Sequence, residues 1–269
     1  MLFALFLLLV FFVFYAIFFS FGPLLRTVFA RLAHRTAKFR FRDYLPVVVI
    51  LLFGFGATLL AGHLFEEIAE AVQGSSPALQ TFDRAVHDSA YYARSDGSTR
   101  LFVIMTLIGT PVGAGIITAV VVAVLLLRKH WRWAVYLAFT GGVGGLLNLV
   151  LKGFFARARP DLAEALRRAH GYSFPSGHAM GSTIVWGALA YLAFRSLRGW
   201  RTRALAMSFA CTMIVGISAS RIYLGVHWIS DVVAGIVAGL IWLLSCTVAY
   251  ETFRRIRRVR ERRLAAAAK

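Results

Sequence analysis

Of 269 residues, 59% are hydrophobic and 16% charged, with a mean hydropathy of +0.71. That composition excludes a soluble globular domain and implies a chain that crosses a membrane several times. The net charge of +18 raises nucleic acid as a partner, but the cations lie in short segments between apolar stretches, so no nucleic-acid partner is expected.

Roughly 20 apolar residues span the hydrocarbon core, and seven stretches qualify: about 1–20, 45–62, 101–127, 133–151, 179–194, 204–219 and 232–250. The expected fold is all-α, a polytopic transmembrane helical bundle. A six-helix core begins at residue 45, and an additional transmembrane helix precedes it. The first stretch has neither a basic flank nor a clear small-x-small cleavage site, so it is expected to stay as an anchor. Residues 1–44 then form the anchor and a basic loop, 45–250 one membrane domain, and 251–269 a basic tail.

Between the second and third stretches, Leu64, Phe65, Ile68, Ala69 and Val72 alternate with Glu66, Glu67, Glu70 and Gln73 as in an amphipathic helix. Gly74-Ser75-Ser76-Pro77 breaks it. Leu79, Phe82 and Val86, with Asp83 and Asp88, predict a second short helix. Such a pair in the interface could border an entrance for lipid headgroups or simply cap the bundle. The glycine-rich runs 109–115 and 141–145 lack the Lys-Ser/Thr of a phosphate-binding loop and fall inside predicted spans, where close helix packing accounts for them. Cys211 and Cys246 have no metal-ligand spacing and are expected to be packing residues. The Arg-rich segment 254–263 suits anionic lipid or a topology signal.

Counting Lys and Arg orients the chain. Segments 21–44, 128–132, 195–203 and 251–269 hold 21 of the 30, whereas 63–100, 152–178 and 220–231 hold nine. Cytoplasmic loops collect cations, so the first set is expected inside and the second outside.

The outer set contains three polar clusters: Lys152-(six residues)-Arg159-Pro160, Pro175-Ser176-Gly177-His178, and Ser220-Arg221-(five residues)-His227-(three residues)-Asp231. Lys152 and Arg159 are two helical turns apart, about 10 Å along one face if the helix continues. Arg157 would fall off that face as a surface or headgroup charge. Ser176 and Gly177 stand where the helix of 179–194 begins, and free N–H groups at such a position cradle phosphate. His178 sits at its mouth, suited to proton transfer. His227 and Asp231 are neighbours on one helical face, so the carboxylate can orient the imidazole. Arg221 offers a planar fork for phosphate oxygens. His178, His227 and Asp231 could instead ligate zinc, but the surrounding cations would repel a divalent ion. No metal and no cofactor are expected.

Position for position, the three clusters resemble the signature of the type-2 phosphatidic acid phosphatase family, here its bacterial integral-membrane branch, over about residues 45–250. The resemblance implies a lipid phosphatase in which His227 attacks phosphorus, Asp231 orients His227, and His178 protonates the leaving oxygen and later activates water. Lys152, Arg159, Arg221 and the Ser176–Gly177 backbone would hold the phosphate oxygens. It further implies a bacterial inner-membrane protein with its active site facing the periplasm or cell exterior and a cytoplasmic C-terminus.

The partner is then a lipid phosphate or diphosphate within membrane lipid, and undecaprenyl diphosphate is the first choice. Phosphatidylglycerol phosphate, phosphatidic acid and lipid A 1-phosphate stay open, as does a lipid phosphotransferase. A lipid-binding or lipid-transporting protein without activity is the reading from another class, and the intact signature argues against it. His170 and Tyr172 are further candidates for substrate contact that the signature does not require. Nothing in the sequence sets an oligomeric state.

Overall fold

The structure is a computed structural model that describes residues 5, 7–17, 19, 45–160, 165, 166 and 170–267. The basic segment 21–44, and both ends of the first apolar stretch, lie outside the described residues. Nine helices follow in order among them: α1 (Leu7–Ile17), α2 (Leu45–Gln73), α3 (Pro77–Tyr92), α4 (Asp96–Ile108), α5 (Pro111–Leu127), α6 (Trp131–Phe155), α7 (Gly177–Ser196), α8 (Trp200–Tyr223) and α9 (Ile229–Ala267).

Helices α2, α6, α8 and α9 are each long and apolar enough to cross a membrane, and α4 with α5 make a fifth span if the bent pair is one crossing. α7 lies inside, packed against α5, α6, α8 and α9. It is less apolar because it faces protein: Ser182 and Thr183 are buried, and both hydroxyls donate to the Ala179 carbonyl, at 3.0 and 2.8 Å. Lipid-facing surface is found on α2, where Phe53 is 75% exposed. In water such a face would cost roughly 25 cal/mol per Å² of apolar area; in hydrocarbon it costs little. The all-α transmembrane bundle expected from the sequence is the observed fold.

Four boundaries differ from expectation. The stretch 101–127 is not one continuous helix but bends by 56° between Ile108 and Pro111. Pro111 cannot donate to the preceding turn, and Thr110 caps the new helix by accepting the Gly113 N–H at 3.0 Å. Gly109 to Pro111 is therefore a junction between two helices rather than the interior of one. Of the glycines read as packing sites, Gly144 does lie tight against Ile184 and Trp242, while Gly142 and Gly145 have open space.

The amphipathic segment 64–73 is not a separate helix but the last turns of α2. Its predicted apolar stripe packs inward, with Phe65, Ile68, Ala69 and Val72 around Phe174 and Ala234. Residues 251–267 likewise continue α9 without a break at 250. At about 1.5 Å per residue α9 is near 58 Å long, so it extends well past a hydrocarbon core of about 30 Å.

Finally, α6 stops at Phe155, where Ala156 takes a left-handed C-cap (φ 46°) and its N–H bonds the Lys152 carbonyl at 3.1 Å. Arg159 is thus not on the Lys152 helix face, as the seven-residue spacing suggested. It reaches the same place through a loop that folds back.

Candidate active site

Four chain ends meet at one end of the bundle: the last turn of α6, the first turn of α7, the last turn of α8 and the first turn of α9. Lys152, His178, Arg221 and Asp231 are carried there, with Arg159 and His227 in the adjoining loops. The turn that delivers His227 runs through Gly225 at φ +74°, a left-handed conformation that favours glycine; a Cβ there would also stand 2.7 Å from the Arg94 guanidinium.

His227 is 2% exposed. Its Nδ1 lies 3.3 Å from Asp231 Oδ2, and its Nε2 lies 3.0 Å from Arg159 Nη1. Since guanidinium can only donate, Nε2 is the acceptor and Nδ1 carries the proton given to Asp231. Burial first, then the charges of Arg159, Arg221 and Lys152, hold the imidazole well below its usual pKa range. The ring is therefore neutral, with an oriented lone pair on Nε2, as a histidine nucleophile requires.

The cations converge as expected. Arg221 is buried and donates through Nη1 to Thr106 Oγ1. Lys152 Nζ donates to the Tyr172 and Ser173 carbonyls at 2.7 and 3.2 Å. Arg159 fans across the carbonyls of Val226, Gly171, His170 and Tyr172 at 2.8 to 3.1 Å. His170 and Tyr172 thus enter the site through backbone oxygens that hold cations. The charges of Arg221, Lys152 and Arg159 all reach His178, whose Nε2 is buried with no hydrogen-bond partner.

Ser176 stands at the start of α7, where the sequence placed it, but its side chain makes no capping bond, and the cradle needs one correction. The Ser176 N–H donates to the Asp231 carbonyl at 2.9 Å, so that amide is committed to joining α7 to α9 and is not part of the cradle. The Ser176 hydroxyl is buried and unpartnered. By helix geometry the N–H groups of Gly177, His178 and Ala179 have no intrahelical acceptor. A Cβ on Gly177 would stand 2.7 Å from Asn148 Oδ1 and 3.7 Å from Lys152 Cε, so glycine keeps this approach open. Phe174, fully buried against Phe65 and Phe155, fixes the loop that leads to it.

Arg157 is the clearest correction. Sequence spacing made it a surface or headgroup charge; instead it bridges two buried acids. Its Nη1 lies 2.6 Å from Asp231 Oδ1 and 2.8 Å from Ser230 Oγ, and its Nη2 lies 2.8 Å from Asp83 Oδ2. Asp83 also accepts the Ser230 N–H at 3.0 Å and hydroxyl at 2.7 Å. Asp83, Ser230 and Thr106 are site-supporting residues that sequence reasoning missed. The available signal was an Asp in the short helix that follows the Gly74–Pro77 break, far from the motifs in sequence, which alone is too common to single out.

Between the end of α2 and α3 lies a cavity of about 240 Å³ whose lining includes Val72, Leu79, Asp83, Arg157, Arg159 and Trp228. It opens beside Arg157 and Arg159, which contact Asp231 and His227. Among the described residues, no three His, Cys, Asp or Glu converge as metal ligands.

This arrangement, a neutral oriented histidine ringed by cations with a second histidine opposite, can accept a phosphoryl group. The PAP2 superfamily profile matches residues 133–255. Phosphatidylglycerophosphatase B of Bacillus subtilis (strain 168) is 30% identical over 166 residues, covering 61% of this chain and 81% of that protein. The putative undecaprenyl-diphosphatase YbjG of Escherichia coli (strain K12) is 30% identical over 144 residues, covering 49% and 68% respectively. The crystal structure of the transmembrane PAP2 type phosphatidylglycerolphosphate phosphatase from Bacillus subtilis aligns with a TM-score of 0.66 at 28% identity, covering 71% of this chain and 94% of that one. The chain belongs to the PAP2 superfamily and is a multi-pass membrane phosphatase of its lipid phosphatase class, as the three motifs implied.

Proposed function

We propose that this protein removes the terminal phosphate of a membrane lipid phosphate or diphosphate through a phosphohistidine on His227, without a metal ion. The observation that carries the reading is the double engagement of His227, Nδ1 with Asp231 and Nε2 with Arg159. A bound phosphate would take Arg159 Nη1 for one of its oxygens and so free the Nε2 lone pair. Nε2 then attacks phosphorus in line, the bond to the leaving oxygen breaks, and His178, protonated in the complex with the anionic substrate, gives that oxygen its proton and becomes neutral. Lys152, Arg159, Arg221 and the amides at the start of α7 neutralise the equatorial oxygens. Water, deprotonated by His178, next attacks the phosphohistidine, releasing inorganic phosphate and restoring neutral His227.

Undecaprenyl diphosphate, cleaved to undecaprenyl phosphate, is the first substrate. The charge bias of the loops, which puts the site on the extracytoplasmic face, and the likeness to YbjG support it. Phosphatidylglycerol phosphate is the second reading, supported by the likeness to phosphatidylglycerophosphatase B. The cavity between α2 and α3 suits the approach of either headgroup from the bilayer side.

The test is phosphate release by the purified protein in detergent with EDTA present, across undecaprenyl diphosphate, phosphatidylglycerol phosphate, phosphatidic acid and lipid A, with His227→Ala as control. Release that depends on His227 and survives EDTA supports the mechanism, and the lipid with the highest kcat/KM is the substrate. Release lost to EDTA and restored by a divalent ion would overturn the metal-free chemistry. Release only when an acceptor lipid is added would mark a phosphotransferase.

A further inference from the structure

Six cations from three separate parts of the chain surround a cavity of about 740 Å³ at the end of the bundle remote from His227. Lys129 and Arg132 flank the α5–α6 turn, Arg195 lies in the last turn of α7, and Arg254, Arg257 and Arg258 lie on α9. Arg132 and Lys152 are 20 residues apart on or beside α6, about 30 Å at 1.5 Å per residue. The two sites are therefore separated by roughly the thickness of the hydrocarbon core.

The wall of this cavity is aromatic. Trp133 and Tyr136 pack on Tyr250 with ring centroids 5.0 and 5.1 Å apart, and Phe253 stands at the rim, 65% exposed. Amphipathic rings of this kind settle at headgroup level.

The charge is poorly compensated. Glu251, buried behind the wall, accepts from Tyr191 and is shared by Arg254 at 2.7 Å, Arg195 at 3.3 Å and Arg255 at 3.5 Å. Arg257 pairs with Glu261 at 2.6 Å. Among the described residues, Lys129, Arg132 and Arg258 form no ion pair, and Arg258 feels the charges of Arg254, Arg195 and Arg255. Cations that serve only as a topology signal need not converge on one hollow; these do, from three elements.

We infer that this cavity binds the headgroup phosphate of an anionic phospholipid, with Arg132 and Arg258 on the phosphate and the acyl chains leaving past Phe253. A phosphodiester relieves the like-charge crowding, and arginine forks match its oxygens. The exposed aromatic rim and the position about one hydrocarbon thickness from the catalytic end select a lipid over a soluble phosphate. The site is independent of which lipid is hydrolysed. Its three helices are also those that carry Lys152, His178 and Asp231 at their other ends, so the lipid would pin together the frame of the active site.

The test is native mass spectrometry of the full chain in neutral detergent, titrated with phosphatidylglycerol or phosphatidylcholine of the same chains. Arg132→Gln/Arg258→Gln is compared with Arg198→Gln/Arg201→Gln, which removes the same charge at the same end but outside the cavity. Wild type and the outside pair should favour phosphatidylglycerol, and the cavity pair should lose that preference by about tenfold. Equal loss in both pairs would mean diffuse attraction, and no loss in the cavity pair would place the lipid elsewhere; either result overturns the site. Soluble glycerol phosphate binding as tightly as phosphatidylglycerol would overturn lipid as its occupant. An unchanged far-UV circular dichroism spectrum and a single monodisperse peak on size exclusion in detergent check that the cavity pair is folded.

Discussion

The guanidinium of Arg157 holds the carboxylate that faces His227 Nδ1: its Nη1 stands 2.6 Å from Asp231 Oδ1, while Nη2 is fixed by Asp83 at 2.8 Å. The two acids are 0 and 2% exposed in their side chains. Arg157→Gln leaves both buried without that cation, although each keeps other hydrogen bonds, and breaking a buried ion pair costs up to about 3–5 kcal/mol. A clear drop in Tm in detergent is expected. Arg157→Lys keeps the charge but cannot fork between two carboxylates. It should fold, yet lower kcat by about 10- to 100-fold with KM little changed, as misorientation does. Full kcat in the lysine variant would remove Arg157 from any positioning role.

The roles assigned to the two histidines separate in a labelling experiment. With a lipid phosphate labelled on phosphorus, wild type should pass through an alkali-stable, acid-labile phosphoenzyme too briefly to accumulate. His178→Ala loses the base for the second step, and general acid–base help is worth about 10² to 10⁴ in rate. Given a substrate whose leaving group needs no proton, that variant should accumulate label. His227→Ala should show none. Label persisting in His227→Ala would refute the nucleophile assignment.

How much of this was legible in the sequence depended on how local the cause was. That the chain is an all-helical membrane bundle, and the order of its apolar helices, followed from apolar length, because lipid demands it; the number did not, since seven apolar stretches give four helices long and apolar enough to cross, or five with the bent pair. Bringing Lys152, His178, Arg221, His227 and Asp231 together followed from motif spacing plus charge bias, since alternate crossings must return the motifs to one end. What failed was geometry set by a single backbone choice. The left-handed Ala156 ends α6 and sends Arg157 inward, undoing a reading that assumed a continuing helix. α3 was expected as a short helix, but the face it buries was not legible, for another reason. Its Phe82 is 56% exposed while Asp83 and His87 are buried, the reverse of a helix on a water-soluble core, and only the partner Arg157 explains why an acid goes inside.

Burial of a neutral His227 has a consequence for stability against pH. Its folded pKa is depressed by burial, with Arg159, Arg221 and Lys152 adding to the effect, whereas in the unfolded chain it returns to about 6.5. Below about pH 6.5 the unfolded state takes up a proton that the folded state refuses, so stability is complete above that pH and is lost as pH falls. The slope is at most about 1.4 kcal/mol per pH unit from this one group. Thermal unfolding in detergent between pH 7 and 5 should show it, and His227→Gln should flatten the dependence by that amount. An unchanged slope in the variant would mean that other groups govern the acid side.

Gly235 offers a test of how the cradle is positioned, because it touches no substrate group itself. A Cβ at this position on α9 would stand 2.6 Å from the Ser176 carbonyl oxygen, 3.1 Å from Ala179 Cβ and 3.3 Å from the Met180 N. Two of those three atoms are backbone, so no side chain can swing aside, and α9 must move away from the start of α7. That separation strains the bond from the Ser176 N–H to the Asp231 carbonyl, which ties the proposed phosphate cradle to the helix of Asp231. Overpacking of this kind costs about 1–3 kcal/mol. For Gly235→Ala we expect a lower Tm together with a fall in kcat/KM of about 10- to 100-fold. Gly62→Ala on α2, where a Cβ would meet nothing within 4 Å, should change neither. If Gly235→Ala lowered Tm and left kcat/KM intact, the contact between α9 and α7 would be structural only, and the cradle would be positioned by the loop that ends at Pro175.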